Sequence, residues 1–318
     1  MKIPTLYDII LAAERIKPYM DPSPLYTYPT LNEYLGFTAY VKHENYNPTG
    51  AFKIRGGINL ICQLSKEEKK QGVITASTGN HGQSIALASK MFNVEAHICV
   101  PEGANPIKIA AIRSYGAIIH EKGKDFDEAA LNGKQLAKYH DYRFINSGNE
   151  PHLISGVGTI GLEILQQNPN IEVVISPVGS GTGAGGTAIA MKTLKPGIKT
   201  ISVQAKNAPS IYLSYKSGKL ESTPTANTFA DGLATRNAFE LPLKILRKYV
   251  DDFILVSEDE MRKAIKLYLE NCHTVAEGAG AASLAAAVKL KKELEGKNVA
   301  IVLSGGNITI EELTKSLQ

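Results

Sequence analysis

Cysteine is scarce in this chain, and the sequence lacks the segments that direct a protein across or into a membrane. Its three cysteines, Cys62, Cys99 and Cys272, are far apart, odd in number and outside any CxxC pair. Isolated thiols of this kind are typical of a reduced cytosolic protein and argue against a thiol-redox centre. No charged-then-apolar signal peptide opens the sequence, and no apolar run reaches membrane-spanning length. We therefore expect a cytoplasmic protein with no membrane partner.

Several motifs of common enzyme classes are missing as well. The seven histidines show no HxxxH or paired spacing, so we expect no zinc site and assign no metal. No serine stands in GxSxG, which argues against a hydrolase elbow, and no GxxxxGK[ST] supports a nucleoside triphosphate site. Lys and Arg exceed Asp and Glu by 35 − 31 = 4 without forming a basic stripe. The charge pattern therefore gives no reason to expect a nucleic-acid partner.

Short β-branched runs alternate with amphipathic stretches through most of the 318 residues. The predicted strands are 39–42, 73–76, 96–100, 117–120, 143–146, 173–176, 200–204, 253–256 and 299–303. The predicted helices include 58–64, 83–91, 108–115, 127–139, 161–167, 187–194, 258–271 and 281–294. Parallel strands need crossover connections, which are usually helices, so this alternation predicts mostly parallel sheets. The rhythm runs once before about Ser147 and again after it, which predicts two doubly wound α/β lobes with a cleft between them.

Lys53 lies in an unusual setting, after a Pro-Thr-Gly turn and between Phe52 and Ile54. Removal from water lowers the pKa of a lysine and frees its amine to form a Schiff base. The alternative interpretation is a helix N-terminus whose first turn carries an ordinary exposed lysine.

A glycine-rich loop follows the buried strand 173–176, and a helix pattern begins near Thr187. Glycines let the backbone approach a ligand, and amides at a helix N-terminus attract anions, so we predict a phosphate site. Gly181, Gly183 and Gly186 satisfy GxGxxG, which raises a nicotinamide dinucleotide as an alternative. That fold needs an acidic residue after the next strand, where this chain has 204–206, Gln-Ala-Lys. Pyridoxal phosphate (PLP) is the cofactor that needs both a lysine and a phosphate site.

Two further segments carry polar groups at the ends of predicted strands. Residues 77–83, Ser-Thr-Gly-Asn-His-Gly-Gln, open a helix and suit an anion such as a substrate carboxylate, or form a plain capped helix start. Ser304 ends the last strand, where it can bond a ring nitrogen or shape a turn. Glu277, among small residues, is expected close to the same place. The irregular stretch 218–236 is either a loop that covers the site or a surface excursion.

With these residues assembled, the chain resembles the fold-type II PLP enzymes across nearly its whole length. It is most similar to the branch of serine/threonine dehydratases and serine racemases. The motifs that carry the resemblance, in order, are 48–57, 77–83, 158–164, 230–232 and 304–307. The resemblance implies a tryptophan synthase β-like fold with the active site between a large domain, 1–50 and 149–318, and a small domain, 51–148. It also implies a homodimer. Since the chain ends at Gln318, we expect no C-terminal regulatory domain.

The resemblance also implies a role for each site residue. Lys53 carries the cofactor as a Schiff base with Phe52 beside the ring, Asn80 bonds the ring hydroxyl, and Ser304 faces the pyridine nitrogen. Glu277 is counted with these cofactor-binding residues. The phosphate is expected at Gly179, Ser180, Gly181, Thr182 and Gly183. The substrate carboxylate is expected at Ser77, Thr78, Gly79, Asn80 and His81.

The expected activity is elimination from L-threonine or L-serine to give a 2-oxo acid and ammonia. Racemisation stays open, because Thr78 occupies the place where the racemase has an acid/base serine and dehydratases often have alanine; Thr78 is therefore a candidate catalytic residue. β-Replacement stays open too, because the loop 180–183 reads like that of cysteine synthases. The stretch 204–210 offers no carboxylate, which argues against a racemase-like divalent metal site. A cofactor-binding protein without turnover is the remaining alternative.

Overall fold

A computed structural model describes residues 1–318 and contains ten strands in two sheets. The strands are β1 (Leu25–Thr27), β2 (Thr38–His43), β3 (Val73–Ala76), β4 (Ala96–Val100), β5 (Ile118–Glu121), β6 (Arg143–Phe144), β7 (Val173–Pro177), β8 (Lys199–Ala205), β9 (Asp252–Val256) and β10 (Asn298–Leu303).

The same chain forms fifteen α-helices. They are α1 (Leu6–Ile16), α2 (Pro29–Leu35), α3 (Ile54–Ile61), α4 (Lys66–Gln71), α5 (Asn80–Met91), α6 (Pro106–Ser114), α7 (Phe126–His140), α8 (Pro151–Gln167), α9 (Thr182–Leu194), α10 (Ser210–Ser217), α11 (Glu240–Tyr249), α12 (Glu258–Cys272), α13 (Gly278–Lys289), α14 (Lys291–Leu294) and α15 (Ile310–Leu317). No helix combines the length and the apolar composition that a membrane crossing requires.

The larger sheet has six strands in the order β1-β2-β10-β7-β8-β9, and the smaller has four in the order β5-β4-β3-β6. Every pairing is parallel except that of β1 with β2. We call the parts built on these sheets the large lobe and the small lobe. The prediction of two α/β lobes with mostly parallel sheets is confirmed. The lobe boundaries near residues 50 and 148 remain our proposal.

Apolar side chains cover both faces of the larger sheet, because its parallel strands are connected by helices. On one face, α12 and α13 enclose the main core, in which Tyr268 and Leu284 are fully buried. On the other face, Ile164 and Met191 place α8 and α9 against the strands. The carboxyl ends of the central strands therefore open at one edge, between the two lobes, where ligands bind in sheets of this kind.

Helix α9 begins at Thr182, five residues earlier than the sequence predicts, and α8 begins at Pro151 instead of 161. Glycine disfavours helix, so the glycines in both segments hide the helical pattern. Those glycines let the two helices cross at backbone contact. A methyl group at Gly186 would lie 2.5 Å from the Ile154 carbonyl oxygen, and one at Gly161 would lie 2.6 Å from that of Thr187. Close packing therefore overrides the low helix propensity.

Candidate active site

Lys53 lies immediately before α3, held from two sides through its backbone. The Phe52 N–H donates to the carbonyl oxygen of Ser304 at 3.0 Å, which ties the segment to the end of β10. The hydroxyl of Ser84, on α5, donates to the carbonyl oxygen of Lys53 at 2.6 Å. The lysine thus sits where the large lobe meets the small one. It stands at a helix N-terminus, as the alternative interpretation had it, but it is not an exposed first-turn lysine.

The amine of Lys53 is easier to deprotonate than an ordinary lysine. Burial lowers its pKa to about 8, although the nearby carboxylate of Glu277 acts in the opposite direction. Its Nζ lies 4.8 Å from the centroid of the Phe52 ring, so one side of the amine faces an apolar surface. At neutral pH a far larger share of this amine is neutral than in an ordinary lysine, and the neutral form is the one that acts as a nucleophile.

Glu277 shares this environment at the start of α13. Its backbone N–H donates to the carbonyl oxygen of Gly305 at 3.0 Å, so it lies beside Ser304, as expected. Burial raises the pKa of its carboxyl to about 7, against the lowering effects of Asn80, Lys108 and Lys53. The cleft therefore holds an acid and an amine that are both displaced toward their neutral forms.

Asn80, the first residue of α5, is hydrogen-bonded through both the nitrogen and the oxygen of its side-chain amide. Its Nδ2 donates to Oε1 of Glu277 at 2.7 Å, and its Oδ1 accepts from Nδ2 of Asn307 at 2.7 Å. Asn307 lies within the last of the sequence motifs, 304–307, from which no role was predicted for it. The signal was present, since an amide side chain two residues beyond a strand-end glycine can reach the same edge of the sheet.

The segment 77–81 forms the uncapped N-terminus of α5. Gly79, at the cap position, offers no side chain, so the first amides of the helix are left for an anion. Ser77 accepts from the Gly79 N–H at 3.2 Å and shapes the turn. Thr78 is partly exposed, and its hydroxyl makes no hydrogen bond within the chain. This arrangement suits a small carboxylate.

The imidazole of His81 is hydrogen-bonded to the hydroxyl of Thr75, within the small lobe. The Thr75 hydroxyl donates its single proton to the Ile145 carbonyl oxygen at 2.8 Å, so it accepts from Nε2 of His81, 3.0 Å away. Burial, helped by the charge of Lys53, lowers the pKa of His81 to about 3. The ring is therefore neutral, and what His81 can offer a carboxylate is its backbone N–H.

The glycine loop packs against the aromatic ring next to the lysine. A methyl group at Gly183 would lie 2.8 Å from the ring of Phe52, and one at Gly179 would clash with the Gly232 carbonyl oxygen. Gly181 has φ +91°, a conformation that L side chains rarely adopt. No side chain caps α9, so the amides beginning at Thr182 are available to an anion. The hydroxyls of Ser180 and Thr182 lie 3.4 Å apart at the same end.

These groups match what PLP presents. An amine of lowered pKa suits the aldehyde, an uncapped glycine-lined helix end suits the phosphate, and Asn80 suits the ring hydroxyl. Ser304 is only 4% exposed, and its hydroxyl is not engaged by another group of the chain, so it is available to the ring nitrogen. The predicted residues from both ends of the sequence are thus brought to one cleft.

Sequence reasoning missed a buried ion cluster directly behind the lysine. Arg55 is fully buried and pairs with Glu44 at 2.7 Å and Glu163 at 2.5 Å, while Lys42 pairs with Glu163 at 2.6 Å. These charged residues come from β2, the following turn, α3 and α8, so no single sequence motif predicts the cluster. The cluster fixes the start of α3, and with it the backbone that carries Lys53.

Two ion pairs also join the lobes across the cleft. Lys108, on α6, pairs with Asp231, and Arg236 pairs with Asp127 at the start of α7. Asp231 and Arg236 both belong to the segment 218–236, in which the regular structure is a short 3₁₀ turn at Asp231–Leu233 and a single β-bridge from Ser222. The structure therefore brings this segment against the small lobe at the cleft, which favours the interpretation of a covering loop.

Comparison with known proteins agrees with this geometry. The family model described as "Pyridoxal-phosphate dependent enzyme" matches residues 16–305. The L-threonine ammonia-lyase of Thermotoga maritima is 41% identical over 98% of this chain and 77% of its own length. The L-threo-3-hydroxyaspartate ammonia-lyase of Saccharomyces cerevisiae is 37% identical over 98% of this chain and 95% of its own length.

A solved structure of maize serine racemase covers 99% of this chain and 97% of its own, with a TM-score of 0.94 and 32% identity. The cofactor is therefore PLP, and the nicotinamide alternative is dropped. The site geometry and these similarities agree that this chain belongs to the family of pyridoxal-phosphate dependent enzymes, in the group that contains threonine ammonia-lyases and serine racemases.

Proposed function

We propose that this enzyme is an ammonia-lyase that eliminates water from a small β-hydroxy amino acid, L-threonine or L-serine, to give an enamine. Once released, the enamine takes up water again and hydrolyses to a 2-oxo acid and ammonia. The single observation that carries the proposal is the Lys53 amine of lowered pKa, held between an uncapped phosphate loop and a second uncapped helix end. The first helix end suits the cofactor, and the second suits the carboxylate of an amino acid.

The chain's own groups divide the work of this reaction. The N-terminus of α5 would orient the substrate through its carboxylate, and the free Lys53 amine would accept the proton from Cα. PLP, when bound, supplies the electron sink for the charge left on Cα. Ser304 is neutral and does not enforce a positive ring nitrogen as an aspartate would. Charge therefore remains closer to the substrate, which favours prompt loss of the β-hydroxyl.

The charges at the cleft mouth favour a substrate with a neutral side chain. Lys108 and Arg236, the cations that join the lobes there, are each already paired with a carboxylate. A substrate with a second carboxylate would have to break one of these pairs or lie beside Asp127 or Asp231. We therefore rank threonine and serine above 3-hydroxyaspartate, the substrate named for the yeast relative.

The test is a panel of amino acids scored for 2-oxo acid with the purified, PLP-loaded protein. We expect 2-oxobutanoate from L-threonine and pyruvate from L-serine, with slower turnover of L-threo-3-hydroxyaspartate. Lys53→Ala should lose at least roughly 10²–10⁴-fold in rate, since it removes the proton acceptor. Lys66→Ala, a change to an exposed lysine, is the control. Bound PLP without oxo acid from threonine or serine would refute the lyase assignment and point to binding without turnover.

Racemisation is a second candidate, and the free hydroxyl of Thr78 is the observation that favours it. A proton donor on the substrate face opposite Lys53 is what inversion at Cα requires. Thr78→Ala separates the two reactions, because a racemase should lose inversion of serine while it keeps elimination. Chiral analysis of serine incubated with both proteins measures this, and equal D-serine formation by both would exclude Thr78 from that role.

A further inference from the structure

Three side chains from distant parts of the sequence form a continuous hydrogen-bonded row in the cleft. Asn307, after β10, donates to Asn80 on α5, and Asn80 donates to Glu277 at the start of α13. Asn307 also donates to the carbonyl oxygen of Thr49 at 2.8 Å, in the turn that leads to Lys53. The row therefore connects the lysine segment, the small lobe and two elements of the large lobe.

The direction of every bond in this row follows from the backbone carbonyl at its end. A carbonyl oxygen can only accept, so the Asn307 atom that faces Thr49 must be the amide nitrogen, Nδ2. The same Nδ2 has a second proton, which faces Asn80, so the Asn80 atom it meets must be Oδ1. The Nδ2 of Asn80 then faces Glu277, whose Oε1 accepts whether or not the carboxyl is ionised. One orientation of the Asn80 amide satisfies all of these contacts.

That orientation leaves Asn80 with one uncommitted proton. Its Nδ2 carries two protons and gives one to Glu277, while its Oδ1 is occupied by Asn307. We propose that Asn307 and Glu277 are positioning residues that turn the Asn80 amide so that it donates to the ring hydroxyl of PLP and never accepts from it. This inference rests on the proposed role of Asn80. A donor there stabilises the ionised form of the ring oxygen, the form that pairs with a protonated Schiff base on Lys53.

Packing makes Asn307 hard to replace in this role. A methyl group at Gly50, where φ is +66°, would lie 2.6 Å from Oδ1 of Asn307, so the turn before Lys53 closes directly on this side chain. A side chain held this closely has little freedom to turn its amide over.

Asn307→Asp and Asn307→Ala together test the proposal. Asp keeps the shape but replaces the donor with an acceptor, so the Asn80 amide must turn over and present Oδ1 to the ring hydroxyl. Ala removes the donor and leaves Asn80 free. We expect PLP affinity to fall by about tenfold in Asn307→Asp and by less in Asn307→Ala, following the loss of one or two hydrogen bonds. The visible absorption band of the holoenzyme should weaken in the same order, in favour of the near-ultraviolet band of the un-ionised form.

The order of the two variants separates positioning from packing, because a packing role would make the isosteric Asp the milder change. Asn45→Asp is the matched control: Asn45 lies beside Gly306 and donates to Thr274 at 2.8 Å, outside the row. It should keep the wild-type band ratio. Asn307→Ala milder than Asp supports the proposal; the reverse order, or unchanged affinity and spectrum in Asn307→Ala, overturns it. Both readouts concern bound PLP alone, so a failed lyase assay would leave them intact.

Discussion

Replacing Arg55 with methionine should destabilise the protein strongly, and the buried ion cluster explains why. The five N–H groups of Arg55 make six contacts within hydrogen-bonding distance, because Nη2 shares its two protons among three acceptors. The acceptors lie on Ser23, Glu44, Thr159 and Glu163. The cluster holds two cations and two carboxylates, so its net charge is zero, and Arg55→Met leaves it at −1 with Glu44 fully buried. Removing one partner of a buried pair typically costs about 3–5 kcal/mol, and we expect the free energy of unfolding to fall by that amount.

Urea unfolding of the two PLP-free proteins measures this loss, and a second substitution tests its cause. Glu44→Gln in the Arg55→Met background restores a neutral pair of Lys42 and Glu163, and should recover at least about 1 kcal/mol. Burial alone would raise the pKa of Glu44, but Arg55 reverses this and holds it below its usual value. The contribution of this pair is thus present at neutral pH and is lost as pH falls through that lowered pKa. A loss below about 1 kcal/mol, or no recovery in the double variant, would contradict this account of the cluster.

Three further predictions concern the cleft. The rate of PLP uptake by the cofactor-free protein should rise as pH rises through about 8, because only the neutral Lys53 amine attacks the aldehyde. A pH–rate curve with its inflection near the ordinary lysine pKa of about 10.4 would contradict this. Gly183→Ala should weaken PLP binding by about tenfold in equilibrium dialysis, because the new methyl group meets the Phe52 ring; wild-type affinity would show that the loop shifts freely. Asp231→Asn should raise KM severalfold, because the pair of Asp231 with Lys108 holds the two lobes together. The melting temperature should stay nearly unchanged, because an exposed pair adds little stability. An unchanged KM would exclude a role of this pair in holding the lobes together.

The fold was largely readable because its strands are short, continuous apolar runs. Strands β3 and β4 match the predicted 73–76 and 96–100, since parallel strands buried on both faces leave an unmistakable pattern. Strand β1 was missed: it has three residues, pairs antiparallel at the sheet edge and has no buried residue. The glycine-rich starts of α8 and α9 were missed for a different reason. Their helical form depends on contact with each other, which local helix propensity does not encode.

Some parts of the candidate site could be predicted from the sequence, and others could not. The proposed phosphate loop and the proposed carboxylate segment 77–81 offer backbone amides, and a glycine-rich helix start is a local sequence signal of such a site. The partners of Arg55 and Asn80 could not be inferred in this manner. Asn80 and Asn307 are 227 positions apart, and Arg55 and Glu163 are 108 apart. Only the folded chain shows which distant polar groups satisfy one another in the interior.

The strands of the small lobe come from one uninterrupted stretch of chain, which enters through α3 and leaves through α8. These two helices touch so closely that a methyl group at Gly156 would lie 2.7 Å from the Arg55 carbonyl oxygen. A stretch whose two ends are fastened side by side can be exchanged as a cassette without rethreading the rest of the molecule. Recombination at these two points would import a foreign counterpart of the proposed carboxylate segment while Lys53 and the proposed phosphate loop stay in place. Chimeras built on this plan offer a direct route to new substrate preferences on an unaltered catalytic base.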